Sequence, residues 1–162
     1  MSIVFESIAE PHLKPLSDLH VECFDNGWSP SVFSEFLSWA GTEIVLARDL
    51  RKNTIVGFIL YRMLFEDCEI ITICVEQNCR RRGVATRLIK SIRKQLNINQ
   101  ISRIIIEVDK INLPARRFYQ ALKFKQIGKR QNYYKHLSGY SDAIVMQMDL
   151  NNTILEPHNF RS

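Results

Sequence analysis

The chain of 162 residues holds no apolar run long enough to cross a membrane. Arg62, Glu66, Asp67 and Glu69 break its longest hydrophobic stretches, and a spanning helix needs about 18 residues. The first segment, MSIVFESIAEPHLKP, lacks a basic stretch followed by an apolar one, so no secretory signal is expected. The cysteines Cys23, Cys68, Cys74 and Cys79 form neither a CxxC pair nor a disulfide framework, and they read as thiols of a reducing cytoplasm. The histidines His12, His20, His136 and His158 are scattered without an HxxxH, so no metal is expected, because tetrahedral sites need clustered ligands. No repeat, low-complexity tract or linker divides the chain. One domain over 1–150 is therefore expected, with 151–162 as a loosely ordered tail.

The absence that says most is that of acid. Between Gln77 and Ile106 there is no Asp or Glu. Residues 1–78 carry 5 Lys/Arg against 12 Asp/Glu, residues 79–135 carry 16 against 2, and residues 136–162 carry 1 against 3. The net charge of +5 thus hides a strongly basic middle, which argues for a localised anion site rather than a uniformly basic surface. With 46% hydrophobic and 24% charged residues the rest is ordinary globular composition.

Periodicity gives the elements. Residues 3–9 read as an edge strand, and Pro11 is expected to open a helix through Leu13, Leu16, Leu19 and Cys23. Gly27-Trp28-Ser29-Pro30 reads as a turn, with Ser29 capping a helix that carries Val32, Phe33, Phe36 and Leu37. Strands follow at 43–49, 54–65 and 68–75, joined by short polar breaks as antiparallel neighbours, the last two apolar on both faces and so covered on both sides. A helix from Gly83 to about Leu96, a strand at 103–108, a helix capped by Asn112 with Ala115, Phe118, Tyr119 and Leu122 inward, and strands at 125–130 and 142–150 complete the order. This is an α/β arrangement, a mixed and mostly antiparallel sheet with helices on both faces.

The stretch 71–88, ITICVEQNCRRRGVATRL, has the form strand, polar loop, glycine, helix. Loop and helix N–H groups converge at such a point, and the helix dipole favours negative charge there. Gly83 and Ala85 keep the backbone uncrowded, Arg80, Arg81 and Arg82 add charge, and Arg87 and Lys90 follow on the helix. Taken singly, the arginines also fit a solvated surface and Gly83 a simple turn. Together they point to a phosphate-type ligand.

The run Arg80-Arg81-Arg82-Gly83-Val84-Ala85 resembles the Q/R-x-x-G-x-G/A pyrophosphate loop of the GNAT acetyltransferases, in the strand-to-helix setting that motif requires. Further segments resemble its RimI branch, N-terminal acetyltransferases acting on a ribosomal protein. They are Gly27-Trp28-Ser29, Glu107-Val108 with Asn112 and Tyr119, Arg130-Gln131-Asn132-Tyr133-Tyr134, and Asp142-Ala143-Ile144-Val145-Met146. The likeness covers roughly residues 3–150. Gly27 departs from the proline usual in that branch, Ala85 replaces the commoner second glycine, and Glu76-Gln77 stands where Asp-Pro is frequent.

The resemblance implies acetyl-CoA as donor, an N-terminal alanine of a small-subunit ribosomal protein as acceptor, no membrane or nucleic-acid partner, and a cytoplasmic setting. It implies cofactor contacts from Ile73, Cys74, Val75, Arg80, Arg81, Arg82, Gly83, Val84, Ala85, Thr86 and Asn112. An oxyanion-binding N–H is implied near Ile73–Val75, where the pantetheine arm would pair like an added strand. It makes Glu107 the general base and Tyr119 the general acid. From the residues alone, Glu107 equally fits a strand-end carboxylate paired to an arginine, Tyr119 a core aromatic beside Phe118, and Asn112 a plain helix cap. Cys74 and Cys79 read as structural, since no histidine stands near them in sequence to act as a base. Two other functions fit the same features: acetylation of another amine, such as a metabolite or antibiotic, and a nucleic-acid-binding module using the basic middle.

Overall fold

The computed structural model describes residues 2–150; the expected tail at 151–162 lies outside the described residues. These residues form two compact units, one up to Ile101 and one from Ser102 onward.

The first unit holds strands β1 (Ile3–Ser7), β2 (Thr42–Asp49), β3 (Thr54–Leu64) and β4 (Asp67–Val75), and helices α1 (Leu13–Cys23), α2 (Pro30–Ser38) and α3 (Val84–Ile98). The strands pair in sequence order, all antiparallel. On one face Leu16 and Leu19 of α1 and Phe33 of α2 meet Ile44, Leu46, Phe58, Leu60 and Cys74 of the sheet in one buried cluster. On the other face α3 packs on β2, β3 and β4 through its buried stripe Val84, Leu88, Ile89, Ile92 and Leu96, the apolar spacing of four made physical.

Local chemistry explains most boundaries. Pro30 takes the first position of α2, where its missing N–H is no loss, and the carbonyl of Ser29 accepts from Val32 and Phe33. Helix α1 begins at Leu13, not at Pro11, so the expected start is corrected by two residues. Pro15 falls in its first turn, where an N–H would have no intrahelical partner.

Strand β3 is buried on both faces, as expected, but β4 is not: its residues alternate between buried and more open positions. The registers Leu60↔Thr72 and Tyr61↔Ile70 leave Ile71 as an extra residue, a β-bulge. The bulge resets the side-chain phase, so Ile71 packs against the α1/α2 cluster while Ile73 lies opposite Ile59.

The second unit holds β5 (Arg103–Asp109), α4 (Leu113–Ala121), β6 (Lys125–His136) and β7 (Gly139–Asp149), with β7 antiparallel to both β5 and β6. The last two strands are longer than the sequence suggested, because β6 runs on through Arg130–Tyr134 to a turn before Gly139. Of the helix face expected inward, only Tyr119 is fully buried; Ala115, Phe118 and Leu122 are half-buried.

The β6–β7 register slips between Arg130 and Tyr134, so three residues of β6 oppose Asp142 alone. Asn132 takes the left-handed conformation there (φ 52°), which asparagine tolerates better than most residues, and its N–H donates to Asp142 Oδ1 at 3.1 Å.

Candidate active site

In the first unit the candidate donor residues gather where β4 ends and α3 begins. Glu76 continues the β4 pairing by donating its N–H to Val56 O, and one turn of 3-10 helix, Gln77–Cys79, turns the chain. Two left-handed residues then redirect it, Arg81 (φ 58°) and Gly83 (φ 76°). Gly83 stands at the N-cap of α3, and a Cβ added there would meet nothing within 4 Å. No side chain caps the helix. Its first intrahelical bond comes from Arg87 N–H to Gly83 O, so the N–H groups of Val84, Ala85 and Thr86 stand at an uncapped end. An open approach, uncapped donors and the positive end of a 15-residue helix suit a phosphate.

A second glycine lets α3 come this close. Gly57 lies on the α3 face of β3, and a Cβ there would sit 2.8 Å from Cys74 O, 3.4 Å from Val84 and 3.5 Å from Leu88. Sequence reasoning did not single it out, although a glycine inside an apolar strand signals close backbone approach.

The basic residues divide. Arg81 and Arg82 are exposed beside the loop. Arg80 folds back, its Nε donating to Val75 O at 3.0 Å. Arg87 turns away from the loop altogether: its guanidinium stacks 4.5 Å over Phe5 and donates to Ile3 O. Ile73, Cys74 and Val75 end β4 beside the loop, and Cys74 is buried while Ile73 and Val75 are half-buried. Cys79 is buried too, and its thiol donates to Glu76 Oε2 at 3.7 Å.

In the second unit the slip between Arg130 and Tyr134 brings both residues onto Glu107. Arg130 Nη1 donates to Glu107 Oε1 at 2.9 Å and Oε2 at 3.2 Å, and its guanidinium lies 4.1 Å from the Tyr133 ring centre. Tyr134 donates its hydroxyl to Glu107 O at 3.3 Å. Burial, then the Glu107 charge, pushes the Tyr134 phenol well above its usual value, so it stays a donor. An arginine partner for Glu107 fits the sequence reading, but which arginine was not legible, and Tyr134 was not foreseen at all.

Asn112 caps α4, its Oδ1 accepting from Ala115 N at 3.2 Å, which leaves the amide nitrogen for another partner. Tyr119 is buried, with its ring edge-on to Phe118 and Phe124 at 5.1 and 5.4 Å.

Next to this group, Ser141 donates to Asp109 Oδ1 at 2.6 Å, and His136 Nε2 reaches both Ser141 Oγ (2.9 Å) and Asp109 Oδ2 (2.6 Å). This is not a nucleophile triad. One histidine nitrogen meets both partners, and the serine proton is directed at the aspartate. Among the described residues no three His, Cys, Asp or Glu side chains are placed to hold a metal ion, and no helix is long and apolar enough to cross a membrane.

The geometry has clear counterparts. The model of the acetyltransferase (GNAT) family matches residues 13–124. The chain is 24% identical to the ribosomal protein bS18-alanine N-acetyltransferase of Haemophilus ducreyi, over 91% of this chain and 100% of that one. It is 30% identical to an N-alpha-acetyltransferase of Saccharolobus solfataricus, over 73% and 75% of the two chains. The crystal structure of the ribosomal-protein-S18-alanine N-acetyltransferase from Escherichia coli has a TM-score of 0.83 to it at 19% identity, covering 91% of this chain and 94% of that one. Other structures of this fold hold bound acetyl-CoA. The chain belongs to the acetyltransferase (GNAT) family, with the α/β fold of that family and acetyl-CoA as its acetyl donor.

Proposed function

We propose that the chain is a cytoplasmic, single-domain N-terminal acetyltransferase spanning 1–150, which acetylates the α-amino group of an N-terminal alanine on a small-subunit ribosomal protein. The observation that carries this reading is the likeness to a ribosomal-protein-alanine acetyltransferase along that enzyme's entire length. The archaeal N-alpha-acetyltransferase, at higher identity, supports a protein N-terminus as acceptor in general.

In this reading the uncapped start of α3 holds the pyrophosphate of coenzyme A, with Arg81 and Arg82 beside it and Ile73, Cys74 and Val75 along the arm. The amide of Asn112 contacts the cofactor while its oxygen caps α4. A free α-amino group has a pKa of about 7.7–8.0, so one proton must leave before it attacks. Glu107 takes that proton. The nitrogen bonds to the acetyl carbon, the developing oxyanion is met by a backbone N–H of Ile73–Val75, and the carbon–sulfur bond then breaks. Tyr119 protonates the departing thiolate. The acidic balance of residues 1–78 favours a positively charged acceptor peptide.

The test is mass spectrometry of peptides incubated with enzyme and acetyl-CoA. An alanine-starting ribosomal-protein peptide should gain one acetyl group at its α-amine. A panel of small amines acetylated in its place would favour the metabolite or antibiotic reading and sink this one.

A further inference from the structure

Four groups from three separate stretches meet at the end of β4. Cys23, the last residue of α1, donates its thiol to Val75 O at 3.5 Å. Arg80 donates to the same oxygen at 3.0 Å. Cys74, next in sequence to Val75, lies in the buried cluster against which Cys23 packs, so the two thiols are neighbours. Cys23 is half-buried, so solvent molecules reach it; Cys74 is closed off beneath. The proposed chemistry uses neither thiol as a nucleophile.

From this geometry we infer that Cys23 and Cys74 are a thiol–disulfide exchange pair, with Cys23 attacking low-molecular-weight disulfides and Cys74 resolving the adduct.

The surroundings favour that division of labour. Cys23 ends a helix, where the dipole opposes a thiolate, and Arg80 supplies the opposing positive charge. The adjacent Cys74 thiol, then Arg80, hold the Cys23 thiol below its usual value, while burial and the neighbouring Cys23 push Cys74 up. A pair so divided has one attacking and one waiting sulfur. Cys68 and Cys79 are buried, and burial pushes both thiols up, which keeps them protonated and slow.

The exchange balances. The Cys23 thiolate bonds to one sulfur of the disulfide RSSR, whose S–S bond breaks, and the first RS⁻ leaves to be protonated by water. Cys74 then attacks the Cys23 sulfur, and the second RS⁻ leaves carrying the Cys74 proton. Two protein thiols are oxidised, and one small disulfide is reduced to two thiols. Cys23 and Arg80 share Val75 O, so an adduct on Cys23 ends the thiol's bond there and bears on Arg80 and the loop assigned to coenzyme A. That consequence, unlike the reactivity, rests on the proposed donor site.

The test uses the full reduced chain and glutathione disulfide, with acid quenching and mass spectrometry of each cysteine peptide. Cys23 should react at least about tenfold faster than Cys68 or Cys79, and a linked Cys23–Cys74 peptide should follow. Cys74→Ser should stop at the Cys23–glutathione adduct, and Arg80→Gln should slow the first step about tenfold. Should Cys74→Ser fail to fold, the wild-type linked peptide decides the same point. Equal rates at Cys23 and Cys68, or oxidation of Cys74 at an unchanged rate in Cys23→Ser, overturns the pair. Acetyl-CoA affinity should fall about tenfold on oxidation and return with dithiothreitol; an unchanged affinity in the disulfide form overturns the coupling to the loop. A reduced enzyme that binds no acetyl-CoA refutes the donor site instead, while the peptide data judge the thiols separately.

Discussion

One nitrogen of Arg130 serves both oxygens of Glu107, at 2.9 and 3.2 Å, across 23 positions of the chain. The strand-end ion pair and the carboxylate proposed as general base are therefore one residue. Arg130 fixes where the carboxylate points, and the proton-accepting lone pairs remain on Glu107. Replacing Glu107 with Gln keeps the shape and removes the proposed base. Turnover should fall about 100-fold with acetyl-CoA affinity unchanged, as measured by steady-state kinetics and calorimetry. Arg130→Gln should cost less, since orientation is loosened but the base is kept. Wild-type turnover in Glu107→Gln would remove Glu107 from the mechanism.

Tyr119 separates packing from chemistry cleanly. Its ring is buried against Phe118 and Phe124, and phenylalanine preserves those contacts. Tyr119→Phe should therefore unfold within about 1 kcal/mol of wild type, the range of one net hydrogen bond, and bind acetyl-CoA normally. Single-turnover transfer should be slowed at least about 100-fold. Normal transfer would leave Tyr119 as a core aromatic only.

Two glycines should fail for different reasons. Gly57→Ala drives a Cβ to 2.8 Å from Cys74 O and tightens the contact with Val84, at a cost of about 1–3 kcal/mol of overpacking in urea unfolding. Gly83→Ala meets no atom within 4 Å but must hold a positive φ, costing about 1–2 kcal/mol. Both should weaken acetyl-CoA binding. Gly57→Ala does so by lifting the start of α3 from the sheet, and Gly83→Ala by reshaping the loop. A Gly57→Ala protein as stable as wild type would show that α3 does not depend on this close approach.

His20 should make the first unit sensitive to acid. The residue is 2% exposed, accepts the Trp28 N–H on Nδ1 at 3.1 Å and stacks on the Trp28 ring. Burial lowers its pKa to about 4 from 6.5. The unfolded chain therefore binds this proton first. The stabilisation is complete above about pH 6.5, is lost steadily as pH falls toward about 4, and then levels off. Urea midpoints measured from pH 8 to 4 should show this slope, and His20→Asn, which retains an acceptor near Nδ1, should flatten it. Equal slopes in the two proteins would assign the acid sensitivity elsewhere.

Elements with a local cause were legible in the sequence. The stripe Val84, Leu88, Ile92, Leu96 is set by helical spacing, the start of α2 by Pro30, and the cap of α4 by Asn112, whereas the Ser29 hydroxyl pairs with Ser31 instead of capping α2. The bulge at Ile71 and the slip opposite Asp142 were not legible, because both depend on which residue of a neighbouring strand is paired. The length of β6 was missed for the same reason: Gln131–Tyr134 carries no strand periodicity, and Asp142 holds it in place from another strand.

The charge pattern shows the same division. The sequence by itself determined that the middle of the chain is basic, that a glycine-led helix follows a buried strand there, and that the motifs belong to one acetyltransferase family. These properties reside in neighbouring residues and survive whatever the rest of the chain does. Only the tertiary structure decided that Arg80 turns back to Val75, that Arg87 stacks on Phe5, that Cys23 meets Cys74, and that Arg130 and Tyr134 converge on Glu107. Arg80 and Val75 are five residues apart and meet through the turn of the loop; each of the other pairings closes a long loop of chain, and it exists only once strand register and helix packing have brought the two ends together.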